Sequence, residues 1–278
     1  MDALLALGTG LAGAVVGLSL GLTGGGGALL AVPLLVYGLS VHPRQAVSVS
    51  LAAVGAMAAV GAVQRLARQQ VEIGTALIFA AGGLFGAPLG TWIGGQMRET
   101  VLMVLFALLM AVVAVRMWRG ARKVYQPLEL PLATGREAAS AGGCQRDPSG
   151  RLRLGTPCAV VLVLLGLATG VLAGLFGVGG GFIIVPALVL FTGMELRRAV
   201  GTSLLVIALI SLAGIFSRRL VGAHLPWDVM ILFVAGGIGG LAVGSWLADR
   251  LAGPRLQQTF AALILVVAGL MLARPMWS

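Results

Sequence analysis

Apolar runs of membrane-crossing length dominate this chain. They cover residues 3–22, 46–63, 74–94, 101–115, 159–176, 200–216, 229–247 and 260–272. About 20 apolar residues are enough to cross the hydrocarbon as a helix. In hydrocarbon every backbone amide must find a partner inside the protein, which leaves helices as the natural spanning form for such runs. Only 10% of the residues are charged and mean hydropathy is +1.03. Soluble domains carry about 25% charged residues. The expected fold is therefore an all-α polytopic membrane protein.

Two shorter apolar runs, residues 28–39 and 182–191, each follow a glycine cluster. The first cluster sits in GLTGGGGALLAVPLL, residues 21–35. Glycine and proline are the poorest helix formers, so this stretch marks a break where the composition demands a helix. Sliding the chain against itself by 153 residues finds the same stretch again. Between residues 13 and 51, 16 of 39 ungapped positions are identical to their counterparts. Chance in a chain so rich in Gly, Ala, Leu and Val gives about four. The matches include Gly24, Gly26 and Gly27 on Gly177, Gly179 and Gly180, Pro33 on Pro186, Arg44 on Arg197, and Ser50 on Ser203. After one inserted residue, Gly86, Gly90 and Trp92 answer Gly240, Gly244 and Trp246.

The chain thus divides into a first membrane repeat (residues 1–118), a linker (119–157) and a second repeat (158–278). Each repeat holds four long helices and one short Gly/Pro-broken segment, giving eight to ten membrane segments in all. If the short segments span, each half crosses five times and the repeats are inverted; if they are re-entrant, each half crosses four times and the repeats are parallel. The inverted arrangement is preferred, because broken segments and inverted repeats occur together in transporters. The N-terminus opens Met1-Asp2 without a basic region, so residues 3–22 are read as a structural helix rather than a secretion signal.

The formal charge of +10 is read as a topology signal, not as a nucleic-acid site. The linker alone carries seven basic residues against three acidic ones. Positive loops stay on the cytoplasmic side, so the linker is expected there, as a flexible connection rich in Pro, Gly and Ala. Cys144 and Cys158 match no metal or redox spacing.

Paired Gly/Pro-interrupted segments are the best sequence pointer to a transporter's binding site. The expected substrate-binding residues are Gly24, Gly25, Gly26, Gly27 and Pro33 in the first half and Gly177, Gly179, Gly180, Gly181 and Pro186 in the second. The chain is expected to unwind at the glycines and restart as a helix near Pro33 or Pro186, since proline favours a first helical turn and keeps the residue before it extended. Freed N–H groups and the positive end of the helix dipole would then suit a small anion. Ser50, Thr202 and Ser203, at the start of the following helices, are further candidates; bonding of a hydroxyl to its own helix carbonyl is the competing reading. Gln64, Arg65, Ser217 and Arg218 end those helices as candidate gate or vestibule residues, with snorkelling as the alternative. Gly86 and Gly90 are read as helix-packing residues, and Gly90→Ala is expected to be milder than Gly26→Val. No acidic residue lies mid-helix, which argues against a cation pump. No catalytic, metal or cofactor residues are assigned.

The duplicated glycine cluster with Val-Pro, then Ala-Val-x-x-Ser-Leu, then Gly-x-x-x-Gly, resembles the sulfite/sulfonate exporter family TauE/SafE. The resemblance covers both halves and implies export of sulfite or small organosulfonates such as sulfoacetate across the bacterial inner membrane. Relatives carry histidine near the ends of the third helices, where this chain has Gln64-Arg65 and Ser217-Arg218. The resulting expectation is a secondary transporter working by alternating access, not an enzyme. Its partners would be a small inorganic or organosulfonate anion and the lipid bilayer, with a homo-oligomer as an open possibility. The alternatives are a permease or channel for another small anion or a metal ion, and a non-transport membrane assembly protein.

Overall fold

The computed structural model describes residues 3–123, 145–146, 152–153, 156–220, 227–251 and 254–273. The first half contains α1 (Ala3–Thr23), the short α2 (Gly26–Gly38), α3 (Pro43–Ala67), α4 (Ile73–Gln96) and α5 (Glu99–Lys123). The second contains α6 (Thr156–Phe176), α7 (Gly181–Thr192), α8 (Leu196–Leu220), α9 (Trp227–Leu251) and α10 (Pro254–Ala273). Six of these helices are long and apolar enough to span a bilayer: α1, α3, α4, α6, α8 and α9. The protein is a multi-pass membrane protein.

Within the stretch read as a linker, the described residues form regular structure. Helix α5 continues to Lys123, which places Arg119, Arg122 and Lys123 on it. Two short strands, β1 (Gln145–Arg146) and β2 (Leu152–Arg153), pair antiparallel within the same stretch. Cys158, buried at the start of α6, is held in a disulfide; Cys144 lies outside the described residues.

Two seams tie the halves together, each made of the first long helix of one half and the fourth of the other. Along α1 and α9, β-carbons added at Gly13, Gly17 and Gly21 would collide with the backbone carbonyls of Phe233, Gly237 and Leu241. Along α4 and α6, the same holds for Gly82, Gly86 and Gly90 against Val163, Leu167 and Val171. Residue numbers rise together on both partners, so each seam pairs parallel helices. Small residues let backbones approach this closely, and in lipid such packing replaces the hydrophobic drive that water would supply.

At the centre, α3 packs on α8 in the opposite sense. Arg218, near the end of α8, donates to Ser48 near the start of α3, while the Glu72 amide just after α3 donates to Thr202 near the start of α8. Sequence-equivalent helices α3 and α8 thus run antiparallel.

The glycine clusters reverse the chain. Gly8 near the start of α1 faces Leu39 just past the end of α2, so α2 folds back along α1 as the second arm of a hairpin. The restart is also earlier than expected. Pro33 and Pro186 lie inside α2 and α7 rather than at their first turns. Val32 is helical too, so the preference for extended backbone before proline is overridden here. Helix α2 changes character along its length, from a tight 3₁₀ turn at Gly26–Leu30 to a π turn at Leu34–Gly38. A proline removes one helical hydrogen bond, and the wider π turn that follows Pro33 is a usual way for a helix to absorb such a defect.

Candidate functional site

The tips of the two hairpins meet. A β-carbon on Gly25 would sit 2.6 Å from the Cα and the carbonyl oxygen of Gly181, and one on Gly181 would sit 2.6 Å from the Gly25 Cα. No side chain separates the two backbones. Gly179 and Gly181 face Ile207, and Gly179 also faces Val54; both residues lie near the midpoints of the 25-residue helices α8 and α3. The tips therefore lie at mid-height of the bundle.

Each tip begins with a left-handed glycine, Gly24 (φ 72°) and Gly177 (φ 71°), a conformation open to glycine at little steric cost. Each carbonyl at that turn is held by the other half. Ser50 Oγ on α3 donates to the Gly177 carbonyl at 2.8 Å, and Ser203 Oγ on α8 donates to the Gly24 carbonyl at 2.8 Å. Both serines are fully buried. Ser203 also reaches its own Val200 carbonyl at 2.8 Å, so the back-bonding reading and a longer-range bond coexist there. These serine protons point to protein carbonyls in this structure, not to a ligand. They cover the negative carbonyl ends of α1 and α6 and leave backbone N–H groups as the uncovered polarity of the tips.

The tips differ in how those N–H groups are used. In the first, Gly27 N–H donates to Thr23 Oγ1 at 3.2 Å, and Thr23 donates to the Ser19 carbonyl at 2.7 Å. The second tip has Phe176 at the place equivalent to Thr23, and Phe176 stacks on Phe106 of α5 instead, with centroids 5.5 Å apart. Among the described residues, none of the hydrogen bonds engages the N–H groups of Gly25, Gly26, Val178, Gly179 or Gly180. Buried N–H groups without partners are rare in folded proteins. Five of them lie around one contact between the two tips.

The remaining sequence candidates scatter. Thr202 is buried but serves α4, accepting the Glu72 amide at 3.0 Å and contacting Met194 Sδ at 3.6 Å. Pro33 is buried in α2, whereas Pro186 lies on the exposed face of α7, away from the tips. Gln64 is exposed. Arg65, only 7% exposed, donates to Gln70 Oε1 at 2.8 Å. Arg218 donates to Ser48 Oγ at 3.0 Å and to the Gly174 carbonyl at 2.9 Å. Both guanidinium groups are hydrogen-bonded within the protein. They do not form a pair in one vestibule, because antiparallel α3 and α8 carry them to opposite ends of the bundle. Arg218 sits one turn before the second tip, where a cation complements the C-terminal end of α6.

Two buried polar atoms complete the picture, one on Arg218 and one on Ser211, a residue outside the sequence candidates. Among the described residues, the buried side-chain atoms without a hydrogen-bond partner are Ser211 Oγ and Arg218 Nε, two turns apart on α8. A hydroxyl in an apolar helix is a weak sequence signal, and only the fold reveals what Ser211 faces.

The sequence profile of the family Sulfite exporter TauE/SafE matches residues 9–271, nearly the whole chain. The chain belongs to the TauE/SafE family. A probable membrane transporter protein of Xylella fastidiosa (strain 9a5c) is 35% identical over 261 residues, covering 92% of this chain and 90% of the relative. The probable membrane transporter protein YunE of Bacillus subtilis is 26% identical over 246 residues, covering 85% of each. A probable membrane transporter protein of Methanocaldococcus jannaschii is 46% identical over 55 residues, 20% of each chain. No solved structure matches. This TauE/SafE protein is a membrane transporter and not an enzyme.

Proposed function

We propose that the protein exports small sulfur-containing oxyanions, sulfite or organosulfonates such as sulfoacetate, across the inner membrane by alternating access. The observation that carries this reading is the meeting of two glycine tips with unpaired N–H groups at mid-height. Such a site binds through fixed dipoles and needs no ionised side chain. A sulfonate or sulfite presents several acceptor oxygens and no donor, which suits a surface made of donors. The family's description as sulfite exporters supports the same substrate class.

The domain division into residues 1–118, 119–157 and 158–278 and the inverted relation of the repeats belong to this proposal. Antiparallel α3 and α8, with the two hairpins entering from opposite ends, support inversion. In an inverted pair, one rocking motion that closes the site on one side opens it on the other. The basic excess of the linker supports a cytoplasmic position for it.

The test is flux in proteoliposomes holding purified protein, with sulfite, sulfoacetate, taurine, sulfate and chloride compared at equal concentration. The expected result is protein-dependent movement of sulfite or sulfoacetate well above chloride and above zwitterionic taurine. Equal flux of all five, or none above empty liposomes, would overturn the assignment.

A further inference from the structure

We propose that Ser211 is a ligand-binding residue of the second tip, its hydroxyl holding one oxygen of a small oxyanion together with the N–H groups of Val178, Gly179 and Gly180. This rests on the reading that the tips form the anion site and adds to it a side chain that fixes the ligand's position.

Ser211 lacks the hydrogen bond that a buried helical serine ordinarily makes. It is 0% exposed and its oxygen has no hydrogen-bond partner among the described residues. A buried serine in an apolar helix ordinarily donates to the carbonyl one turn back. Other hydroxyls in this protein do so: Ser19 to Val15, Thr23 to Ser19, Ser48 to Arg44, Thr91 to Ala87, Thr169 to Leu165 and Thr192 to Leu188. Ser211 makes no such bond to Ile207. A buried hydroxyl left unpaired is unfavourable, so a partner outside the chain is the economical explanation.

Its hydroxyl lies beside the second tip. A β-carbon placed on Gly179 would stand 3.8 Å from Ser211 Oγ, within the same small space as Ile207 and Val54. Gly179 and Gly180 are both left-handed, with φ of 70° and 71°. Their N–H groups and that of Val178 make no hydrogen bond among the described residues, and they stand just before the first turn of α7, where backbone N–H groups favour an anion.

Ser211 and Gly55 depart together from the internal repeat. Gly55 on α3 leaves the room that Ser211 occupies: a β-carbon there would approach Ser211 Cβ to 2.5 Å and its hydroxyl oxygen to 3.1 Å. The equivalent residues of the other half are Ala58 for Ser211 and Ala208 for Gly55. The hydroxyl and the gap that admits it both belong to one of the two central positions.

The chemistry selects an anion. The second tip offers N–H donors and a hydroxyl, while the Gly177 carbonyl that could have served a cation is already engaged by Ser50. Arg218 lies two turns further along α8, about 10 Å away at 1.5 Å per residue, with its Nε buried and unpartnered. It stands on the approach to this tip from the end of α8.

The experiment measures equilibrium binding of sulfite and sulfoacetate to the full-length protein in nanodiscs, with thermal unfolding recorded in parallel. Wild type is compared with S211A and with S245A, a half-buried serine on α9 that bonds its own helix. We expect S211A to weaken binding about tenfold or more, with an unfolding temperature equal to or above wild type, and S245A to match wild type. An S211A affinity within twofold of wild type would overturn the proposal while leaving the anion-transport reading intact. A lowered unfolding temperature with unchanged affinity would mark Ser211 as structural and overturn it equally. Absence of binding of either anion to the wild type would overturn both readings. Should S211A fail to fold, S211C keeps the volume with a weaker donor, and the same affinity criterion applies to it.

Discussion

The seams and the tips use glycine for opposite purposes. In the α1/α9 and α4/α6 seams, Gly17 and Gly90 have ordinary helical backbone, and glycine is required because a neighbouring carbonyl occupies the place of the β-carbon. At the tips, Gly24, Gly177 and Gly179 are required by the turn itself, which is left-handed. Gly26 differs from both groups: it has no left-handed backbone, and an added β-carbon would meet only the Thr23 side chain, nearest at 3.2 Å. A glycine cluster therefore does not imply equal sensitivity along its length. This reverses the expectation that Gly90→Ala is the mild substitution, because helix-packing glycines in a backbone-to-backbone seam have no slack.

The largest effect is predicted in the seams. Gly90→Ala and Gly17→Ala should force α4 from α6 and α1 from α9, and overpacking of this kind costs about 1–3 kcal/mol or more. The measurement is the yield of monodisperse protein by size-exclusion chromatography, expected to fall severalfold. Normal yield for both would mean that the seams can spread, and the distinction between seam and tip would collapse.

Next comes Gly179→Ala. A left-handed alanine costs about 1–2 kcal/mol, and the new methyl would lie 2.9 Å from Ile207 Cγ2. The protein should still assemble, since the seams are untouched, but sulfonate flux should fall about tenfold or more. Flux at the wild-type rate would remove the second tip from the transport path.

Ser50→Ala is the intermediate case. It leaves the buried Gly177 carbonyl without its serine, a loss of about 1–3 kcal/mol, read as a lower unfolding temperature. Ser203→Ala does the same to Gly24. If neither variant loses stability, the cross-half bonds do not hold the tips. Gly26→Ala should be the smallest perturbation, with near-normal yield and flux reduced no more than about twofold, because Thr23 can yield by a few tenths of an ångström. A collapse of folding at Gly26 would erase the contrast within the cluster.

Sidedness sharpens the comparison without altering stability. Single cysteines in place of Gln64 and Ser217, at sequence-equivalent sites, should label from opposite sides of the membrane in a background lacking Cys144 and Cys158. Labelling from the same side would refute inversion. With a cytoplasmic linker, the Cys158 disulfide should also be reduced in intact cells, because disulfides are rare in that compartment. A persistently oxidised bridge would place the linker outside.

Much of this was legible in the chain itself. Apolar length with 10% charge left a helical membrane protein as the expected answer, and the 153-residue offset exposed two copies with their breaks at matching positions. Those signals are local, being composition and spacing, and they survive without knowledge of contacts. Direction and proximity are different in kind. The sequence places Arg65 and Arg218 at equivalent positions, yet antiparallel α3 and α8 carry them to opposite ends. It marks Pro33 and Pro186 as restarts, yet hairpin packing keeps both inside helices. It offers Ser50 and Ser203 as ligand donors, yet each caps a glycine carbonyl of the other half, more than 120 residues away. Ser211 carries no local pattern at all. Its meaning comes from Gly179 and Gly55, on two other segments, which only tertiary packing brings to one point.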